Sequence, residues 1–167
     1  ILIYLILMIA IHSFAAKEKK IFSQIGVSFA IITAVILLID YYLQFSVIPI
    51  SLINGETDGI SILIQYNPHG IFLVLEELGY LMMSLSFLFA SQAFNKNRLE
   101  KAVKWIFVIG FLSVIFSFIL ISLIYGIDRM DRFEVAVISI DWLVLLVNGI
   151  LISIIFKRQM AVNQLSS

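Results

Sequence analysis

Four carboxylates, Asp40, Glu76, Glu77 and Asp141, each lie inside a long apolar run that contains no Lys or Arg. An ionisable group in hydrocarbon costs about 2.5 kcal/mol or more on insertion scales, so its retention points to a function. Four such acids at close range cannot all remain charged, because desolvation and mutual repulsion oppose it. One solution shares protons among them through hydrogen bonds to Gln44, Tyr80 and Asn148. Another binds a cation: a metal ion, an amine, a cationic amphiphile or protons in transit. The plain alternative is a set of neutral acids that hydrogen-bond helices together.

The elements that must position these residues follow from composition. Of 167 residues, 62% are hydrophobic and only 13% charged, with a mean hydropathy of +1.09. A soluble domain is about 45–50% apolar and about 25% charged, so the chain reads as an all-α, polytopic transmembrane helix bundle. Zero cysteines exclude disulfides, thiolate nucleophiles and Cys-based zinc or iron–sulfur sites. No extended basic segment suggests nucleic acid, and no cofactor is indicated.

Five helices form a single domain over residues 1–167. The first covers residues 1–16, which is short for a span and reads as the end of a helix that begins earlier. The second covers 21–48 and ends at Pro49, which cannot continue a helix without losing a backbone bond. The third covers 68–94, with Asn67 as N-cap and Pro68 at the first helical position. The fourth covers 102–125 and breaks at Gly126. The fifth covers 133–156 and closes at Lys157-Arg158. The loop over 49–67 carries turn signals at Asn54-Gly55 and Asp58-Gly59. Its apolar run Ile60 to Tyr66 is too short to span, and it reads as an interfacial segment or a lid.

Basic residues set the orientation. Lys17, Lys19, Lys20, Lys96, Arg98, Lys101, Lys104, Lys157 and Arg158 fall on one side, and only Arg129 and Arg132 fall on the other. The positive-inside rule then puts the first and third loops and the C-terminus in the cytoplasm. Counting inward from the opposite boundary places Asp40, Glu76, Glu77 and Asp141 at a common depth of about 12–14 Å. Glu134, Asp141 and Asn148 recur at intervals of seven on one face of the fifth helix, and Asp40 and Gln44 are four apart on the second. Glu77, Tyr80 and Ser84 share a face of the third, and Glu76 flanks it. Tyr41 adds a hydroxyl. These residues describe a carboxylate-lined cavity in the outer half of the bilayer.

His69, beside Pro68 at the mouth, is a secondary candidate as ligand or relay. His12 lies at the other end of the bundle. Trp105 and Trp142 sit near opposite interfaces, as belt residues do. Glu76-Glu77 lacks the Arg and the downstream His motifs of an intramembrane Glu-Glu protease. No His-Glu-x-x-His and no phosphate loop is present.

Several stretches, namely Gly55-Glu56-Thr57-Asp58-Gly59, Gln65-Tyr66-Asn67-Pro68-His69-Gly70, Glu76-Glu77-Leu78-Gly79-Tyr80, Asn97-Arg98-Leu99-Glu100 and Arg132-Phe133-Glu134-Val135-Ala136, are the basis of a resemblance. They resemble a family of small bacterial multi-pass membrane proteins to which no activity is attached. The resemblance covers most of the chain from Asp40 onward and implies a bacterial cytoplasmic membrane.

Three functions compete. The first is binding or translocation of a cation, protons or a cationic amphiphile. At this size, and without Gly- or Pro-broken helices, an oligomeric channel or a receptor-like binder fits it better than alternating access. The second is an accessory subunit whose acids pair with a basic helix of a membrane partner or a second copy. The third is a lipid- or isoprenoid-modifying enzyme using paired carboxylates as general acid and base. Binding or translocation accounts for the acids best.

Overall fold

The computed structural model describes residues 1–56, 58–64 and 67–165. Thr57, Gln65 and Tyr66, part of the turn and interfacial run read from the sequence, lie outside the described residues. The elements are α1 (Leu2–Phe14), α2 (Lys20–Ser46), α3 (Ile48–Ile53), α4 (Ile71–Ala90), α5 (Arg98–Tyr125) and α6 (Met130–Leu165), joined by short 3-10 turns. The chain is an all-α helical bundle, and four stretches (Lys17–Ile53, Ile71–Ala93, Arg98–Arg129 and Asp131–Ala161) are long and apolar enough to cross a membrane. It is therefore a multi-pass membrane protein, with lipid taking the place of solvent around its exposed apolar faces.

Helix α4 is the hub. It packs along α2 most extensively and also meets α5 and α6, and more than half of its apolar window is buried. Lipid tails are as apolar as leucine, so contact between these helices depends on close fit. Two glycines supply it. A Cβ on Gly26 of α2 would stand 3.1 Å from the Ser86 carbonyl oxygen and 3.2 Å from the Ala90 backbone nitrogen of α4. One on Gly79 of α4 would stand 2.5 Å from Leu37 Cδ2. Toward the lysine-rich end, a run of rings (Phe87–Phe107 at 5.0 Å, Phe14–Phe94 at 5.6 Å, Phe14–Phe156 at 5.4 Å) closes the core.

Helix boundaries depart from the sequence reading in four places. The fifth helix does not close at Lys157-Arg158: α6 starts at Met130 and runs on to Leu165, since Lys and Arg are good helix formers and only end the apolar run. Pro49 does not end the second helix: α2 stops at Ser46, and Pro49 sits in the first turn of α3, where its missing N–H costs nothing. Asn67 is not an N-cap, since α4 starts at Ile71 behind Gly70. The Asn67 side chain instead accepts the His69 N–H at 3.0 Å, and Gly70 N–H bonds the Asn67 carbonyl at 2.8 Å, so Asn67–Gly70 is a turn. An Asx side chain serves either purpose, and local spacing does not separate them.

The fourth helix begins at Arg98 rather than near residue 102. Asn97 caps it by accepting the Glu100 N–H at 3.0 Å, while Glu100 accepts N–H bonds from Asn95 and Lys96 at 3.1 and 2.8 Å. That reciprocal box is legible as Asn-x-x-Glu in the sequence. Asn97→Ala is expected to cost about 1 kcal/mol in reversible unfolding in detergent. A variant as stable as the parent would remove the cap from the account.

The 49–67 connection turns at Gly55 (φ 72°) and Gly59 (φ 77°). Ile60 is buried and anchors it near the start of α4. Gly70 faces the carbonyl oxygens of Asn67, Ile64 and Ile62 at 3.0–3.2 Å from a built Cβ, so the loop folds back tightly against this point.

Candidate functional site

The seven principal candidates and three secondary ones fall into separate groups. The first group joins α2, α4 and α6. Asp40 is fully buried and accepts from Gln44 Nε2 at 3.2 Å, while its Oδ1 has no partner. Glu76, also buried, lies within electrostatic range of the Tyr41 hydroxyl and the Glu134 carboxyl. Glu134 is half-buried and stands within electrostatic range of Asp40, Glu76 and Asp131. Asp131 is about half exposed and pairs with Arg132 at 3.2 Å. The result is a descending file of carboxylates: Asp131 at the surface, Glu134 below it, then Glu76 and Asp40 inside.

A tyrosine–tryptophan link borders this file. Tyr41 and Tyr80 place their hydroxyls 3.3 Å apart, and Trp142 Nε1 donates to the Tyr80 hydroxyl at 3.3 Å. Trp142 is thus more than a belt residue: its indole N–H faces the bundle while the ring stays half exposed. Tyr41 also lines a lipid-facing groove of about 500 Å³ with Leu38, Ile39, Tyr42 and Phe45.

Asp141 stands apart. It is fully buried and accepts from Ser84 Oγ at 2.7 Å, with Oδ2 unpartnered. It follows Glu134 by seven residues on α6, about 10 Å further along the axis. The common depth inferred from residue counts therefore does not extend to it, because α4 begins at Ile71 rather than at 68 and α6 at Met130 rather than at 133. Asn148, another seven residues on, donates to the Val103 carbonyl at 3.3 Å and ties α6 to α5, away from the acids.

Glu77 turns away from Glu76, as adjacent positions on a helix must. It is not without a basic partner. Arg129, in the turn between α5 and α6, places Nη1 2.7 Å from Glu77 Oε1. The guanidinium lies 4.5 Å from the Phe118 ring centre and 6.0 Å from that of Phe133. No Arg lies in the apolar run of Glu77, so the sequence reading left this acid unpaired. A long side chain entering from the helix end supplies the charge, and the two phenylalanines signal it only in retrospect.

His69 is exposed and lines a cavity of about 270 Å³ with Pro68, Ile127, Asp128, Asp131 and Arg132, at the mouth of the acid file. Among the described residues, no three His, Asp or Glu side chains come together in a way that could hold a metal ion. At the opposite end, His12 Nδ1 lies 2.9 Å from Ser23 Oγ, and Lys20 Nζ donates to the carbonyls of His12 and Ser13 that end α1.

No family model, no curated protein and no solved structure matches this chain. Any function is therefore argued from the site's chemistry.

Proposed function

We propose that this chain takes up protons, or a small cation in their place, along the file Asp131–Glu134–Glu76–Asp40. In this reading it sits in the inner (cytoplasmic) membrane, with its lysine-rich end and C-terminus inside. The observation that carries the proposal is Glu134. Half-buried, it has a surface acid on one side and two buried acids on the other, and no Lys, Arg or His pairs with Glu134, Glu76 or Asp40 among the described residues. A metal ion wants several ligands at fixed distances, whereas a proton needs only two oxygens. The absence of a metal-holding cluster among the described residues therefore favours protons. Tyr41 and Tyr80 extend the hydrogen-bonded path sideways.

The other readings receive less support. Asp40 and Asp141 are 0% exposed, so a basic partner helix would reach them only if the bundle opened. A general acid–base pair needs room for substrate between its carboxyls, and Asp40, Glu76 and Asp141 are buried in the bundle. One observation favours a cationic amphiphile as the cargo: the groove on α2 includes Tyr41, which lies within electrostatic range of Glu76. An alkyl chain in that groove would bring an ammonium group toward the acid.

The test is proton flux into vesicles that hold the purified protein and a trapped pH-sensitive dye, under an imposed potential. Flux above that of empty vesicles is expected, with Glu76→Gln and Glu134→Gln reducing it at least tenfold. Glu18→Gln, on the exposed turn before α2, should leave it unchanged. If an alkylammonium salt slows the flux and a short-chain amine does not, the cargo is the amphiphile. Flux equal to that of empty vesicles, or indifferent to both substitutions, would end the proton reading.

A further inference from the structure

At the lysine-rich end, far from the acid file, a cavity of about 240 Å³ opens between the C-terminus of α1, the start of α5 and the last turns of α6. Its floor is apolar: Phe14, Leu99 and Ile155, with Phe14 stacked on Phe94 and against Phe156. Its rim carries Lys96 and Arg158, both exposed. Neither forms an ion pair among the described residues. Glu100 also borders the cavity, but it is only 3% exposed and is saturated by the N–H groups of Asn95 and Lys96 and by the Asn97 amide. Its charge faces the α5 N-terminus, where the helix dipole holds it, and it forms no ion pair with Lys96 or Arg158.

Two uncompensated cations above an aromatic floor, where the apolar runs of α1 and α6 end, match one kind of molecule. The occupant needs a phosphate whose negative charge is not neutralised within its own headgroup for the rim, and a hydrocarbon chain for the floor. We infer that this cavity binds an anionic phospholipid, its phosphate between Lys96 and Arg158 and one acyl chain descending past Phe14, Leu99 and Ile155. Basic pockets between helices at a cytoplasmic face commonly hold such headgroups. The site does not involve the acid file, so it stands or falls independently of proton uptake.

The experiment compares thermal unfolding of the full chain in nanodiscs of phosphatidylglycerol and of phosphatidylcholine. Two favourable lysine- or arginine-to-headgroup contacts predict a Tm about 4–8 °C higher in phosphatidylglycerol. The double variant Lys96→Gln/Arg158→Gln should lose that difference while keeping the parent's Tm in phosphatidylcholine, which shows that it is folded. Lys17→Gln/Lys19→Gln, which removes two charges from the same end outside the cavity, should keep it. Equal Tm in both lipids overturns the inference. So does a difference that persists in the cavity variant or disappears in the control variant, since either would mean general surface attraction. Inorganic phosphate added to the phosphatidylcholine sample should give no rise. A rise of the same size would mean an anion site without a lipid, and the inference would be wrong.

Discussion

Gly26→Leu is expected to destabilise the bundle by about 3 kcal/mol or more, the upper end of the range for overpacking. The two nearest neighbours of its would-be Cβ are the Ser86 carbonyl and the Ala90 amide nitrogen of α4, which are backbone atoms and cannot change rotamer. Helices α2 and α4 would have to separate along the most extensive contact in the fold. Gly79 makes an informative contrast. Its would-be Cβ meets the Leu37 side chain, so Gly79→Ala should be partly rescued by Leu37→Val, whereas no side-chain trimming rescues Gly26→Leu. Unfolding in mixed detergent measures both. A Gly26→Leu protein within 0.5 kcal/mol of the parent, by the usual tolerance of surface sites, would refute this packing of α2 on α4.

Removing Arg129 alone should be comparably damaging. Arg129→Met leaves the Glu77 carboxylate, with a side chain only 10% exposed, without its cation. Breaking a buried pair by deleting one partner costs about 3–5 kcal/mol, and the lower end applies because Arg129 keeps 25% exposure. The loss also includes the stacking of the guanidinium on Phe118. The double variant Arg129→Met/Glu77→Gln should recover most of the stability, because no lone charge remains. If the single and double variants unfold alike, the pair contributes packing only. The same cycle bears on function. Glu77 lies outside the acid file, so if the proposed proton uptake holds, the double variant should match the parent's flux.

Much of this protein was legible from residue order. Apolar runs of span length, interrupted by Lys17–Lys20, Asn95–Lys101 and Asp128–Arg132, are enough to dictate an all-α membrane bundle, since only helices satisfy their own backbone in lipid. The same runs expose the buried acids, because polarity in hydrocarbon needs no alignment to be noticed. The spacing of Asp40 and Gln44 gave a hydrogen bond directly, four residues being one turn.

Tertiary structure decided which acids meet. Periodicity fixes the face of a helix but not its axial offset from its neighbours, and here those offsets bring Glu134 to Glu76 while carrying Asp141 down to Ser84. It decided that Glu77 is paired, because Arg129 lies 52 residues away and reaches it across the end of α5. It also set Trp142 on Tyr80 and Asn148 on Val103, contacts between residues 62 and 45 positions apart. Local sequence encodes helices and their polar faces through interactions a few residues long. Partnerships across the bundle depend on how closely Gly26 and Gly79 let α2 and α4 approach, and that distance is a property of the assembled helices.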